Sequence, residues 1–134
     1  MFRLSLQVRD YECDLQGVVN NAVYQHYLEH ARHAFLRAQG VDFAALAAQG
    51  DHLMVIRAEL VYKAPLKPND HFEVMVRMKA KGRLKAVFEQ QIVREDGTVI
   101  ANAHFEGANI RQGRPARLPE ALRLCLTEHN EAMR

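Results

Sequence analysis

The sequence predicts an α+β fold in which a curved antiparallel sheet wraps around one long central helix. Between positions 21 and 39 the apolar residues recur at steps of three and four, which is the period of a helix with one buried face. Five segments have the alternation or the apolar composition of strands, at residues 2–9, 52–63, 72–79, 84–94 and 99–111. One helix on one sheet buries both apolar faces but leaves sheet edges, which a second copy of the chain would cover.

The composition indicates one globular domain, which we expect to span residues 1–134. A chain of 134 residues has room for one hydrophobic core but not for two. With 49% hydrophobic and 25% charged residues, the chain is not of the disordered class. A net charge of +2 is too small to indicate nucleic acid as a partner, because that binding needs a clustered basic face.

Cysteine usage and hydropathy bear on the location of the protein. Cys13 and Cys125 make an unconvincing disulfide framework, and no charged-then-apolar leader opens the sequence. No apolar run approaches the roughly 18 residues that a membrane span requires. We therefore expect a cytoplasmic protein that binds neither nucleic acid nor membranes.

The first part of the chain reads as a strand, a polar loop and the long helix. Residues 2–9 alternate between apolar and polar side chains, which predicts a half-buried strand. The loop at 10–20 leads into the helix, for which Asn20 or Asn21 can serve as N-cap and Gly40 as the end. The polar residues of the helix predict one wet face, formed by Gln25, His26, Glu29, Arg32, His33 and Arg37.

The middle of the chain reads as a short helix followed by four long strands. Asp42 can cap a helix at 43–48, and the strand at 52–63 ends where two prolines cannot join a sheet. The last three strands are consecutive and are joined by turns at 81–83 and 95–98. This order predicts that the three strands pair as a meander.

The last strand and the C-terminal segment carry weaker signals. Gly107 inside the last strand indicates a bulge. Residues 113–119 read as an exit segment, and residues 120–133 as a terminal helix whose inward face includes Leu122, Leu126 and His129.

The loop before the long helix brings an acidic side chain near backbone N–H groups that can stabilise negative charge. Asp14 stands a few residues before the predicted start of the helix, where backbone N–H groups have no acceptor inside the helix. Fixed donors of this kind stabilise an oxyanion without reorganising, and the loss of one typically costs about 3 kcal/mol of transition-state stabilisation. An acid beside such donors is a catalytic arrangement.

The same stretch carries a set of residues that is typical of one family. The set comprises Asp14, Gly17, Val19-Asn20-Asn21, Tyr24 and Glu29-His30-Ala31-Arg32. A later segment reads Tyr62-x-x-Pro-Leu-x-x-x-Asp70, with Asn69 where the family usually has Gly. These residues and the order of elements resemble the hotdog-fold thioesterases of the 4-hydroxybenzoyl-CoA thioesterase type, close to the acyl-lipid thioesterase branch.

The resemblance implies a hotdog fold and an enzyme that hydrolyses an acyl thioester of coenzyme A or acyl carrier protein. Its site would lie between the subunits of a homodimer or homotetramer, and it would need no metal or redox cofactor. Asp14 would act as nucleophile or as general base on water, and the backbone N–H near Asn21 would polarise the thioester carbonyl. Gly17, Val18 and Tyr24 would contact the substrate. Both routes for Asp14 stay open, since thiolate is a good leaving group in either.

Other reactive side chains are less well supported by the sequence. Cys13 could act as a nucleophile with one of the seven histidines as its base. A cysteine at a strand end, however, is usually a buried packing residue. The only serine, Ser5, lies inside the first predicted strand and outside any nucleophile elbow. His26-Tyr-Leu-Glu-His30 has the spacing of a zinc motif, with His33 one turn further on, yet all three imidazoles lie toward the polar side of the helix. A solvated or interface face is the better interpretation.

Two alternatives to hydrolysis remain within the same fold. A hotdog dehydratase or hydratase would use a histidine with an acid, and the absence of histidine at the position of Asp14 speaks against it. A non-catalytic acyl-CoA-binding protein would keep the fold without turnover. The aromatic residues Tyr24, Tyr27 and Phe35 either border an acyl tunnel or belong to the core.

Overall fold

The structure is a computed structural model that describes residues 1–126. In chain order it contains β1 (Phe2–Gln7), a 3₁₀ helix (Asp10–Glu12), α1 (Asn21–Ala38), α2 (Phe43–Ala48), β2 (His52–Tyr62), β3 (His71–Lys81), β4 (Lys85–Arg94), β5 (Val99–Arg111), β6 (Arg114–Ala116) and α3 (Glu120–Arg123). No helix within these 126 residues is both long enough and apolar enough to cross a membrane.

The strands form one six-stranded antiparallel sheet. Its order is β1-β3-β4-β5-β2, with β6 paired to β5. Strands β3, β4 and β5 are neighbours both in sequence and in space, so the predicted meander is confirmed. Strand β2 pairs with β5 and not with β3, which follows it in the chain, so β1 and β2 lie at opposite ends of the strand order.

Helix α1 packs on one face of this sheet and supplies the centre of the core. Leu28 and Ala31 have no exposed surface. Alternate residues of the central strands join them in one apolar cluster, which includes Phe72, Val74, Val76, Met78, Phe88 and Ile92. Burying one such large side chain contributes about 1.5–3 kcal/mol, so the helix–sheet contact strongly stabilises the fold. The predicted α+β arrangement of one long helix on an antiparallel sheet is confirmed.

Side-chain caps fix where the helices begin. Asn20, and not Asn21, is the N-cap of α1, since its Oδ1 accepts a hydrogen bond from the Ala22 N–H at 3.0 Å. Gly40 follows the helix with a φ of +84°, a conformation that glycine adopts readily. Asp42 caps α2 through the Ala45 N–H at 3.1 Å, as predicted.

The wet face predicted for α1 is wrong at Arg32. This side chain is buried, with 8% of the residue exposed. Its Cζ lies 4.0 Å from the centre of the Phe105 ring, and its Nη1 donates to Gln90 Oε1 at 3.0 Å. The long aliphatic stem lets the guanidinium reach across to the sheet, where a polar and an aromatic side chain receive it.

The bulge predicted at Gly107 belongs to the facing strand. The register shifts between Val55 and Arg57 on β2, so the extra residue lies on β2 opposite Gly107. A Cβ on Gly107 would come within 3.2 Å of Leu53 Cδ1, which explains why glycine suits this position. The loop predicted at 10–20 is also less irregular than expected, because it begins with the 3₁₀ helix.

The predicted exit segment contains a short strand, β6, which was not predicted. Gln112 and Gly113 both have positive φ, at +51° and +76°, and form a tight hairpin turn between β5 and β6. Pro115 can lie within β6 because this strand pairs only with β5 among the described residues, and proline is tolerated at an edge.

The terminal helix predicted at 120–133 is observed only as α3, over Glu120–Arg123. Leu122 is buried and Leu126 packs against the core, so these two predicted inward residues are confirmed. The remainder of that prediction, including His129, lies outside the described residues.

Candidate active site

The loop between β1 and α1 is a small, ordered hairpin that presents Asp14. Cys13 and Val19 form an isolated antiparallel bridge, and the Asp14 N–H donates to Val18 O at 2.9 Å. The tip closes through the Gly17 N–H, which donates to Asp14 O at 3.1 Å, while Gly17 itself has a φ of +76°. The family glycine therefore has a physical reason, because a side chain at this φ would be strained.

Glu12 anchors the base of this hairpin to the helix. Its Oε1 accepts hydrogen bonds from the Arg9 N–H at 2.7 Å and from the Tyr27 hydroxyl at 2.9 Å. Its backbone O accepts the Asn20 N–H at 3.0 Å, one residue before α1 begins. Burial and the hydrogen bond to Glu12 raise the pKa of Tyr27, so its hydroxyl stays a donor. These bonds fix the hairpin relative to the start of α1.

A second set of bonds ties the hairpin to the proline-containing segment at 64–70. The Val19 N–H donates to Leu66 O at 2.9 Å, and the Leu66 N–H donates to the Tyr24 hydroxyl at 3.0 Å. Asn69 has a φ of +69° within this segment, which explains how asparagine can stand where the family usually has glycine.

The Asp14 carboxylate is exposed at the surface of the protomer. Its Oδ1 accepts the Gln16 N–H at 2.8 Å, which is the bond of an Asx turn. Within residues 1–126 its Oδ2 accepts no hydrogen bond. One oxygen therefore holds the side chain in position, and the other is free to attack or to accept a proton.

The start of α1 leaves one backbone donor free. Two of the first three N–H groups of the helix donate to Asn20. The Ala22 N–H donates to its side chain, and the Val23 N–H donates to its carbonyl oxygen at 2.9 Å. The N–H of Asn21 donates to no acceptor in the described part of the chain. A free N–H in the first turn of an 18-residue helix adds the positive end of the helix dipole to its own hydrogen bond. Such a group can stabilise a developing oxyanion.

Tyr62 supports this donor from strand β2. Its hydroxyl donates to Asn21 O at 3.3 Å, and its ring packs edge-on against Tyr24 with the ring centres 5.4 Å apart. Periodicity alone could not have singled out Tyr62 or Glu12, because their roles depend on contacts with α1 from separate parts of the chain.

The other predicted substrate contacts differ in their burial. Gly17 is exposed and Val18 is partly buried on the same hairpin as Asp14. Tyr24 lies in the core, with 3% exposed, and burial raises the pKa of its hydroxyl. The roles of all three toward a substrate stay predictions.

The alternative reactive groups are less suitably placed. Burial and the carboxylates of Glu12 and Asp14 raise the pKa of the Cys13 thiol, which disfavours the nucleophilic thiolate. Ser5 lies within β1, opposite Glu73 of β3. Among residues 1–126, no three histidine, cysteine, aspartate or glutamate side chains are grouped closely enough to hold a metal ion.

The chain is similar to known proteins over most of its length. The family model of the thioesterase-like superfamily matches residues 8–126. The chain is 33% identical over 122 residues to the chloroplastic acyl-acyl carrier protein thioesterase ATL3 of Arabidopsis thaliana, an alignment that covers 90% of this chain and 64% of ATL3. It is 29% identical over 103 residues to the acyl-CoA thioester hydrolase YbgC of Escherichia coli, with 77% of each chain covered.

A solved structure agrees with these matches. A hypothetical protein from Aquifex aeolicus superposes with a TM-score of 0.87 at 28% identity, over 95% of this chain and 100% of that one. The chain thus spans just under two thirds of ATL3 but the whole of this structural neighbour. The matched range contains the Asp14 hairpin, α1 and the Tyr62 segment, so the resemblance seen in the sequence is confirmed. The chain belongs to the thioesterase-like superfamily, with the hotdog fold.

Proposed function

We propose that the protein is an acyl thioesterase that hydrolyses an acyl thioester of coenzyme A or acyl carrier protein to a free acid and a thiol. The observation that carries the proposal is the pairing of Asp14 with the free N–H of Asn21 at one loop–helix junction. The names of ATL3 and YbgC support both carriers, the first acyl carrier protein and the second coenzyme A.

The proposed chemistry uses the thioester carbonyl as the electrophile. As the carbonyl carbon is attacked, its oxygen gains negative charge, which the Asn21 N–H and the helix dipole stabilise. Asp14 either attacks the carbon itself, giving an anhydride that water then opens, or takes a proton from the attacking water. In both routes the carbon–sulfur bond breaks and thiolate leaves. Gly17, Val18 and Tyr24 are proposed to border the bound thioester.

We infer that the active form is a homodimer or a homotetramer built from it. Strand β2 pairs with β5 on one side, and its other side has no strand partner within residues 1–126. Five of its large apolar residues are about half exposed, with 46–52% of their surface accessible. They are Met54, Val55, Ile56, Val61 and Tyr62. An unprotected apolar edge of this kind is suited to pairing with a second copy. Because Tyr62 contacts Asn21, such pairing would place the partner next to the exposed Asp14.

The experiment that tests the function is thiol release from a panel of acyl-CoA and acyl carrier protein thioesters, with native protein and Asp14→Ala. Turnover by the native protein and its loss in Asp14→Ala support the proposal. Asp10→Ala is the matched control, since Asp10 is another exposed acid of the same loop.

Undiminished turnover in Asp14→Ala would remove the site assignment, and binding without turnover by the native protein would favour a non-catalytic acyl-CoA-binding role. Hydration of an enoyl thioester without thiol release would favour a hydratase.

A further inference from the structure

A cavity lies between α1, α2 and the sheet, and the proposed chemistry does not use it. Its volume is about 250 Å³. Apolar side chains form most of its wall, and they come from four elements: Leu36 of α1, Phe43 of α2, Leu53 and Val55 of β2, and Phe88 of β4. Arg32 also lines this cavity, together with Glu29 and His33 of the same helix.

Arg32 is an unusual residue for such a wall, because most of its hydrogen-bonding capacity is unused. A guanidinium has five N–H donors. Within residues 1–126 it makes one hydrogen bond, from Nη1 to Gln90 Oε1 at 3.0 Å, and one of its faces covers the Phe105 ring. The residue is nonetheless 92% buried, since only 8% is exposed. Burial lowers the pKa of Arg32 to about 10, which still leaves it cationic at neutral pH.

Glu29 is the one carboxylate that lines the same cavity, and it does not neutralise Arg32. The Glu29 side chain is 56% exposed and lies 4.0 Å from His33 Nε2. No ion pair within 4.0 Å joins Glu29 or any other described acid to Arg32. The charge of Glu29 acts on Arg32 from a distance and partly offsets the effect of burial on its pKa. The buried guanidinium therefore has an aromatic contact and one neutral acceptor, but no carboxylate bonded directly to it.

We propose that this cavity binds a small carboxylate with an apolar body, whose carboxylate bonds to Arg32 and whose hydrocarbon part packs on Phe43, Leu53 and Val55. Guanidinium and carboxylate match in charge and in planar geometry. The proposal does not depend on hydrolysis at Asp14. Thioester hydrolysis does release free acids, however, so the proposed function would itself supply ligands of this class.

Titration calorimetry with octanoate and octanamide, at neutral pH, tests the proposal on the full chain. The two ligands have nearly the same shape, and only octanoate carries a charge. The native protein should bind octanoate about tenfold or more tightly than octanamide, because charge-assisted hydrogen bonds are the stronger class. Equal affinities, or binding of neither ligand, would overturn the proposal.

Variants locate the binding in this cavity. Arg32→Met keeps the length of the side chain without its charge, and should abolish the preference for octanoate. Phe43→Glu places a competing carboxylate at the first residue of α2, where an acid is tolerated, and should weaken octanoate binding even if Arg32→Met folds poorly. Arg37→Met, at an exposed arginine of the same helix, and Asp14→Asn, at the candidate active site, should both bind like the native protein. Binding that survives Phe43→Glu but fails in Asp14→Asn would assign it to the active site and refute the second site.

Discussion

Asp14 is the residue on which the proposed chemistry depends most, and its surroundings explain why a carboxylate suits the position. The Asx turn uses Oδ1 through the Gln16 N–H and leaves Oδ2 without a partner in the described chain. Asparagine could form the same turn, but it could neither attack a carbonyl nor accept a proton. The turn therefore separates the structural role of the side chain from its chemical role, and Asp14→Asn can test the second alone.

The hydroxyl of Tyr62 should affect turnover, because it is bonded to the Asn21 peptide. Tyr62→Phe removes the 3.3 Å hydrogen bond to Asn21 O but keeps the ring on Tyr24. We expect kcat to fall roughly two- to tenfold, the size of one modest hydrogen bond, because the Asn21 peptide would be less firmly oriented. KM and Tm should change little. Steady-state kinetics and thermal melts check this, with Tyr11→Phe as the control at an exposed tyrosine. An unchanged kcat would show that Tyr62 does not position the donor.

The first turn of helix α1 contributes both to the stability of the fold and to the geometry of the candidate site. Asn20→Ala removes the cap on the Ala22 N–H and should lower the free energy of unfolding by about 1 kcal/mol. It should also lower kcat, because a frayed first turn no longer holds the Asn21 N–H in place. Asn20→Ser keeps an accepting oxygen without adding a charge beside the Asn21 N–H and should restore both values. Denaturant titrations and thiol release provide the measurements. Loss of stability without loss of activity would contradict the role of the first turn.

The face of the sheet away from α1 carries a polar cluster that makes stability depend on pH. Glu106 is 2% exposed and accepts a hydrogen bond from Lys81 Nζ at 3.0 Å, with Arg57 Nη1 at 3.4 Å. His104 lies between Glu106 and Glu89, at 3.3 and 2.8 Å. Burial by itself would lower the pKa of His104, but the hydrogen bonds to both carboxylates raise it overall. The Lys81 hydrogen bond lowers the pKa of Glu106, which keeps it charged.

This cluster predicts a defined difference between native protein and His104→Gln. A histidine whose pKa is raised on folding stabilises the protein below its unfolded pKa of about 6.5. That stabilisation is lost as the pH rises through the higher folded pKa. The gap in Tm between native protein and variant should therefore be widest at acidic pH and should narrow toward alkaline pH. Melting curves from pH 5 to 9 check this, with His26→Gln as control at an exposed histidine of α1. A gap that widens at alkaline pH would contradict the prediction.

At the scale of the whole molecule, the exposed edge of β2 predicts self-association. Ile56→Lys places a charge on the half-exposed bulge residue of this strand. We expect a shift from dimer toward monomer in light scattering or sedimentation, together with a loss of turnover, because the site would lie beside the partner. Leu124→Lys is the control, since that leucine is 76% exposed and lies in the C-terminal segment rather than on β2. A monomeric native protein with full activity would rule out the intersubunit site.

The sequence predicted those parts of the molecule that depend on local pattern. The helix period located α1 and the turn residues located the β3–β5 meander, whereas the hairpin that carries Asp14 was predicted only as a polar loop. Arg32 was wrongly assigned to the wet face because its partners Gln90 and Phe105 lie on distant strands. Strand β6 was not predicted because it has only three residues, too few to show a strand pattern, after the turn at Gln112 and Gly113. The proposed roles of Asp14 and Asn21 depend on the proposed dimer as well as on local pattern, because a second copy would face the exposed Asp14.

The decisive measurement for the proposed role of Asp14 is the rate of thiol release by Asp14→Asn, compared with that of native protein. A carboxylate that attacks or accepts a proton contributes about 100-fold or more to such a rate. We therefore expect the kcat of Asp14→Asn to fall by about 100-fold or more. Its Tm should stay within a degree or two of the native value, since the amide oxygen preserves the Asx turn. A variant that melts like the native protein and cleaves thioesters at the native rate would contradict the account.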